Sequence, residues 1–469
     1  MNQLKTISLV LASFIAGVFI SIYNPAIAQK DARAGLPVED LRLFAEVFNA
    51  IKQGYVEPID DKKMIANAIS GMLSNLDPHS AYLDAESFKE LQVGTQGEFG
   101  GLGIEVGMED GLVKVVAPYE DTPAFRAGIK AGDLIFKLDD TMVKGMTQTE
   151  AVKRMRGKPQ TQIRLSIFRK GESAPIELTL TREIIKIQSV KSKLVEPGYG
   201  WVRITQFQEN TISSLSKHLN DLYKQGELKG LVLDLRSDPG GLLHGAVGVS
   251  AAFLPAGTKV VSINGRTPEI KQEYTATPND YAREREDPLK NLPKEVKKVP
   301  LVVLVNSGSA SASEIVAGAL QDHKRAIIMG TQTFGKGSVQ TIIPLPGDTA
   351  IKLTTARYYT PNGRAIQAKG IEPDIVVAES SRAFHLREAD LIGHLENDRD
   401  TTSKTPAGKE QDGKKDEKPT KNNRNDRNDR DDRDDDLPPP LEYASASDLQ
   451  FQQALNLLKG LQIMQSVNQ

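Results

Sequence analysis

The chain has 469 residues, 39% hydrophobic and 26% charged, with a formal net charge of −2. That length holds several domains at about 100–200 residues each, and the near-neutral balance excludes a global basic field for nucleic acid. Cysteine is absent, so thiol catalysis, disulfides and lipid attachment through cysteine are excluded together. Residues 1–28 pair Lys5 with an apolar stretch, Ile7 to Ile22, and place Ala26-Ile27-Ala28 before Gln29. This is the pattern of a secretory signal with an A-x-A cleavage site, and it predicts export. The apolar stretch is slightly long, so an uncleaved membrane anchor is the alternative.

Residues 29–95 read as a helical region. Leu41, Phe44, Val47, Phe48, Ile51 and Tyr55 recur at helical spacing, and a second helical stretch over Asp61–Leu76 ends at the polar turn Asp77-Pro78-His79-Ser80. Over 96–185, Gly100-Gly101-Leu102-Gly103-Ile104 opens a strand and Gly111–Val116 alternates apolar and polar residues. After the run Pro123–Asp133 come a strand (Leu134–Leu138), a helix (Gln148–Met155) and a strand (Ile163–Arg169). Residues 186–378 form a separate block. In it, a strand over Gly230–Arg236 ends in Asp238-Pro239-Gly240-Gly241. The run Leu301–Val305 breaks at Asn306-Ser307-Gly308 into small hydroxyl residues, with a helical pattern from near Glu314. The run Ala326–Met329 leads to Gly335-Lys336-Gly337. Residues 379–440 read as a disordered charged linker, because the Lys, Arg, Asn and Asp of Arg399–Asp436 cannot bury enough apolar surface to order themselves. Residues 441–469 close the chain with a helix whose Phe451, Leu455, Leu458, Leu461 and Met464 share a face.

The chemistry concentrates between Leu301 and Gln340. Two apolar strands open there into sterically bare turns, one rich in serine and one holding a glycine-flanked lysine. A serine hydroxyl needs a proton acceptor to act as nucleophile. Lysine serves only when neutral, and at its ordinary pKa of ~10.4 about 0.04% is neutral at pH 7, so burial must lower that value by several units. Ser311 with Lys336 therefore reads as a serine hydrolase using lysine in place of histidine. The plain alternative for Ser309, Ser311 and Ser313 is turn and helix-cap duty, and for Ser313 it is the better account. Gly330 to Gly337 is also a near miss for a phosphate-binding loop. Gly337 stands where a Mg²⁺-binding Ser/Thr is needed, and Val339–Ile343 reads as strand where helix is required. Ser214-Leu215-Ser216-Lys217 fits an S-x-x-K pattern but lies on a polar helix-like face. The six histidines (His79, His218, His244, His323, His385, His394) form neither a G-x-S-x-G elbow partner nor an H-E-x-x-H zinc motif. His244, after the D-P-G-G turn, can approach the site or simply pack. No cofactor or metal is called for. An oxyanion donor is expected from the Ala312 N–H at the start of a helix, and a second from the turn Asp238-Pro239-Gly240-Gly241, whose glycines permit backbone approach.

At these residues the chain resembles the carboxyl-terminal processing peptidases, or tail-specific proteases, over roughly Leu41 to Val377. That family carries its nucleophile in the middle of an S-A-S-A-S-E run, its lysine 25 positions later in F-G-K-G, and a glutamine four residues beyond. The matching positions are Ser311, Lys336 and Gln340. The resemblance implies that Ser311 attacks the peptide carbonyl, Lys336 accepts its proton and Gln340 orients the lysine. It implies that Gly240 supplies an oxyanion donor, although Asp238 stands where the family's D-L-R-x-N-P-G-G turn has asparagine. Residues 96–185 resemble a protease-associated PDZ domain, in which Leu102, Gly103 and Ile104 match the loop that catches a peptide's terminal carboxylate. The implied fold is α/β plus α+β: a mixed-sheet, crotonase-like protease core with an inserted PDZ domain and helical terminal regions. The implied setting is a bacterial periplasm, with protein substrates held by their C-terminal tails and sometimes an adaptor protein. A helix beyond a long tether is marginal alone in water, so both terminal helices are expected to dock on a second copy, with docking on their own core as the alternative. A non-catalytic PDZ scaffold is the competing class.

Overall fold

The computed structural model describes residues 37–119, 121–172, 174–283, 286–379, 386–399 and 442–467. The expected signal and residues 400–440 of the expected linker lie outside them. The chain divides into two units after Ser70. In the first, the helix Val38–Gly54 starts with Glu39 and Asp40 and ends with Lys52, the charge order that suits the helix dipole. None of its residues is buried, so Leu41, Phe44, Val47 and Ile51 present an uncovered apolar stripe. Lys52 pairs with Asp61 at 2.6 Å.

The second unit is built on a six-stranded sheet ordered Val190–Glu196, Tyr199–Ile204, Gly230–Asp234, Leu301–Val305, Ile327–Gly330 and Ile375–Val376. Its first pair is antiparallel and the remaining pairs are parallel. Strand side chains alternate between faces, and here both faces are apolar, as a buried parallel sheet demands. Leu231, Leu233, Val303 and Val305 pack with the helices Thr211–Lys224, Leu243–Phe253 and Ala312–Asp322. Val232, Val302, Leu304, Trp201 and Met329 point the other way.

That second face is covered by the helix Leu449–Val467 of the same chain, through Phe451, Ala454, Leu455 and Leu458. The expectation that this helix docks on a partner copy is corrected for its first three turns. The apolar strand face already needs a cover, and each buried Leu or Phe is worth roughly 1.5–3 kcal/mol. Met464, expected on the buried face, is 63% exposed. The seam is locked by a buried ion pair. Arg236 donates to Asp448 at 2.7 and 2.8 Å and to Asp234 at 2.6 and 2.9 Å, and the Tyr443 ring lies 3.5 Å from the Arg203 guanidinium.

A second, antiparallel sheet runs Ala81–Leu83, Thr349–Tyr359, Lys259–Gly265, Gln272–Thr275, with Ser338–Leu345 paired to Thr349–Tyr359. The inserted domain has its own sheet (Ile104–Glu109, Leu112–Pro118, Leu134–Leu138, Gln162–Phe168, Ile176–Thr181) and its own core around Val113, Val115, Ile135, Ile163 and Leu165. Its entering strand Glu98–Gly101 pairs with its leaving strand Glu183–Lys186, which is how an insertion returns the chain to where it left. The run Gly100–Ile104, expected to open a strand, leads into the strand Ile104–Glu109 after a break at Gly103, whose φ is 74°. The mixed-sheet core, inserted domain and helical terminal regions are those expected. Residues 386–399, expected in the charged linker, are instead structured: Glu388 is fully buried and donates its N–H to the Phe334 carbonyl at 3.0 Å.

Candidate active site

Three adjacent parallel strands end level with one another: Asp234 is in register with Leu304, Leu304 with Met329, and Val305 with Gly330. Their carboxyl ends open into the three turns singled out by sequence, and this edge of an open α/β sheet is where ligands bind. The turns are stitched together. Asn306 Oδ1 accepts from the N–H groups of Ser237 (2.8 Å) and Gly308 (3.1 Å), Ser309 Oγ donates to the Leu235 carbonyl (2.8 Å), and the Phe334 N–H donates to the Ser309 carbonyl (3.0 Å). Ser309 and Ser313, whose hydroxyl donates to the Asp238 carbonyl at 3.0 Å, are structural.

Ser311 sits at the mouth of the helix Ala312–Asp322 with φ 53° and ψ −109°. A side chain there carries strain of ~1–3 kcal/mol unless its surroundings enforce it. Glu314 does so. Its carboxylate is fully buried and accepts four donors: the N–H of Ser311 (2.8 Å), of Lys336 (2.9 Å), of Gly335 (2.8 Å) and the Thr333 hydroxyl (2.5 Å). One oxygen, Oε2, thus receives the backbone of both Ser311 and Lys336. Burial pushes this carboxyl up to about 7, against the pull of its donors.

The Lys336 amine is held below its ordinary range. Burial is the largest cause and repulsion from Lys352 adds to it, while Glu388, Glu314 and Asp77 oppose. Gly337 lets the chain close over it, since a Cβ there would fall 2.2 Å from the Gln367 nitrogen. Beside the lysine, Glu388 accepts from His79 at 2.8 Å and from Gln367 at 2.9 Å. Gln340 lies on the strand leaving this turn, but its amide donates to Ser338 (3.0 Å) and Thr354 (3.2 Å). Among the described residues no hydrogen bond joins Gln340 to Lys336, or Lys336 to Ser311. The Ser311 side chain instead lies against the buried Tyr358 hydroxyl.

Gly240, with φ 96°, stands directly against the serine. A Cβ added to it would fall 2.8 Å from both the Ala312 nitrogen and the Ser311 Cβ. The Ala312 N–H, at the first helical position, has no intrahelical partner, whereas the Gly240 N–H donates to Asp238 Oδ1 at 2.9 Å. In the inserted domain, Leu102 is buried and the Gly103 carbonyl accepts from the Tyr119 N–H at 2.9 Å. Leu102, Gly103 and Ile104 line a recess of about 60 Å³ with Val152 and Met155, and the Arg156 guanidinium lies 4.5 Å from the Phe99 ring at its edge.

The profile of peptidase family S41 matches residues 198–377, the PDZ domain residues 100–180, and the activating protease CtpB N-terminal domain residues 21–87. A carboxy-terminal-processing protease of Bartonella bacilliformis is 47% identical over 393 residues, 81% of this chain and 87% of that protein. The chain belongs to the carboxy-terminal-processing proteases of peptidase family S41. The carboxy-terminal processing protease CtpA of Bacillus subtilis is 35% identical over 80% of this chain and 77% of its own length. A solved photosystem II D1 C-terminal processing protease is 32% identical, with a TM-score of 0.40 over 72% of this chain and 92% of that one. The protein is accordingly a serine-type endopeptidase with a PDZ domain.

Sequence reasoning missed Glu314, His79, Glu388 and Gln367 in this carboxy-terminal-processing protease. The spacing Ser311-x-x-Glu314, a helix-capping signature, is the signal that finds Glu314. His79 and Glu388 are 309 positions apart and carry no local signal. His244, weighed as a possible neighbour of the site, pairs with Glu209 at 3.0 Å. The S-x-x-K lysine, Lys217, is exposed and near Asp221.

Proposed function

We propose that Ser311 is the nucleophile and Lys336 the general base of an exported, periplasmic endopeptidase that takes protein substrates by their C-terminal tails. The observation that carries this reading is the shared Glu314 oxygen, which holds the nucleophile's turn and the lysine's turn to one point. In the cycle, Ser311 Oγ attacks the scissile carbonyl carbon and its proton passes to the neutral Lys336 amine. The carbonyl oxygen takes the developing charge between the N–H of Ala312 and that of Gly240, once the latter turns from Asp238 Oδ1, where each donor is worth ~3–4 kcal/mol. Lys336 returns the proton to the leaving amine, and water then cleaves the acyl-serine by the same route reversed. Gln340 orients the lysine once its amide turns from Ser338 and Thr354. Leu102, Gly103 and Ile104 receive the tail's carboxylate, the tail adding as a strand to the Ile104–Glu109 edge. The uncovered stripe of Val38–Gly54 and the exposed end of Leu449–Val467 are the surfaces for self-association or an adaptor.

Ser311→Ala and Lys336→Ala should each abolish cleavage of a tailed protein while circular dichroism stays native; comparable activity in either variant refutes the assignment. The neutral amine is the active form and its pKa is lowered, so kcat/KM should rise with pH as the amine loses its proton. A flat profile from about pH 5 to pH 8 would count against lysine as base.

A further inference from the structure

Asp238 has no exposed surface, and its two carboxyl oxygens fare differently. Oδ1 accepts the Gly240 N–H at 2.9 Å. Oδ2 is buried with no hydrogen-bond partner. The residue's backbone carbonyl is taken by the Ala310 N–H and the Ser313 hydroxyl, both at 3.0 Å, so the turn cannot easily shift to bring Oδ2 a donor. A carboxylate oxygen buried without a donor is costly, and the group answers by holding its proton. Burial accordingly pushes the Asp238 carboxyl up to about 8.

The charged groups around this turn leave that outcome standing. Arg203, on the neighbouring strand, is the cation that acts on Asp238, but it is already near Asp234 at 3.4 Å. On the strand end that leads into the turn, Asp234 pairs with Arg236, which also pairs with Asp448. On the helix after the turn, His244 pairs with Glu209. On the nucleophile's helix, Glu314 is spent on Ser311, Thr333, Gly335 and Lys336.

We infer that Asp238 is a positioning residue that sets the alkaline limit of this protease, a step that rests on the Ser311 reading above. As a neutral acid it bears no charge beside the nucleophile. As a carboxylate it grips the Gly240 N–H by a charge-assisted bond and sets a negative charge next to the place where the oxyanion forms. Asparagine at this position would be isosteric and cannot ionise, so Asp238→Asn changes charge and leaves shape alone.

The test compares the full chain with Asp238→Asn, taking for each the ratio of kcat/KM at pH 9 to that at pH 7 on a tailed peptide. With the proton lost near pH 8, the native ratio should be about tenfold below that of the variant; equal ratios overturn the inference. A second measurement is independent of turnover: ¹³C NMR of aspartate carboxyls in the Ser311→Ala chain. A carboxyl titrating above pH 7 that disappears in Ser311→Ala with Asp238→Asn supports the inference, and none titrating there overturns it, even if the peptidase assignment itself should fail. Should the asparagine chain not fold, Asp238→Ser supplies the missing line.

Discussion

Glu314→Gln tests whether one buried carboxylate sets the geometry between serine and lysine. The amide is isosteric but has one acceptor where the carboxylate has two. If its oxygen takes the Oε2 position, the bonds to the Ser311 and Lys336 N–H groups survive. The new NH₂ then faces the Gly335 N–H, donor against donor, while Thr333 Oγ1 can accept from it. One buried N–H is left unpaired, a loss of about 1–3 kcal/mol in stability. The Gly335-Lys336 turn must also move, and a shift near 1 Å at the chemistry is worth on the order of 10²-fold in rate. Steady-state kinetics on a tailed peptide should show kcat falling at least tenfold with KM within about twofold. Stability adds a second readout. The folded pKa of Glu314 is about 7 against an ordinary 4.5. A raised carboxyl contributes stability that is full below the ordinary value and lost as pH rises through about 7. Glutamine cannot titrate, so the decline in urea midpoint between about pH 5 and pH 7 should flatten. An unchanged kcat together with an unaltered pH slope would refute the role.

Two further outcomes follow from packing. Gly337→Ala puts a Cβ 2.2 Å from the Gln367 backbone nitrogen, where neither chain can yield easily, so it should lose about 1–3 kcal/mol by urea unfolding and most of kcat with it; a native urea midpoint with native kcat would show the turn to be slack. Asp448→Ala leaves the buried Arg236 with Asp234 as its remaining carboxylate and should destabilise by ~3–5 kcal/mol. It should also expose residues 442–467 to limited proteolysis, and an unchanged cleavage pattern would mean the helix is held by its apolar face alone.

The turns were legible because each follows an apolar strand and is marked by residues with a local reason to be there. Gly240 and Gly337 occupy places where a Cβ would strike backbone, and Ser311 and Lys336 stand out as functional groups in bare surroundings. The strands that lead into them were equally readable from apolar runs such as Leu301–Val305. The destination of the last helix was not, because amphipathic spacing says that a face must be covered and not by what. The missing clue lay elsewhere in the chain: Leu231 to Leu235 and Leu301 to Val305 are apolar at successive positions, so both sheet faces need a cover, and the helices between the strands supply one side. Residues 386–399 failed for another reason. Glu388 reads as one more charge in a charged tract, and only folding reveals that His79 and Gln367 await it.

Three acids act on Lys336, and attraction from any of them would keep its proton in place. For the base role proposed for Lys336, what matters is what each acid already holds. Glu314 is filled by three backbone N–H groups and the Thr333 hydroxyl. Glu388 is filled by His79 and Gln367, and Asp77 by the N–H groups of His79 and Ser80 and the hydroxyls of Ser80 and Thr354. Among the described residues none of the three forms a hydrogen bond or ion pair with the amine. Each carboxylate spends its lone pairs on other donors, so the amine feels distant charge without a direct partner, and desolvation outweighs that charge. The same bonds that shape the site thus keep the acids from pairing with the amine, and any substitution that frees one of these carboxylates should return Lys336 toward its ordinary, charged form.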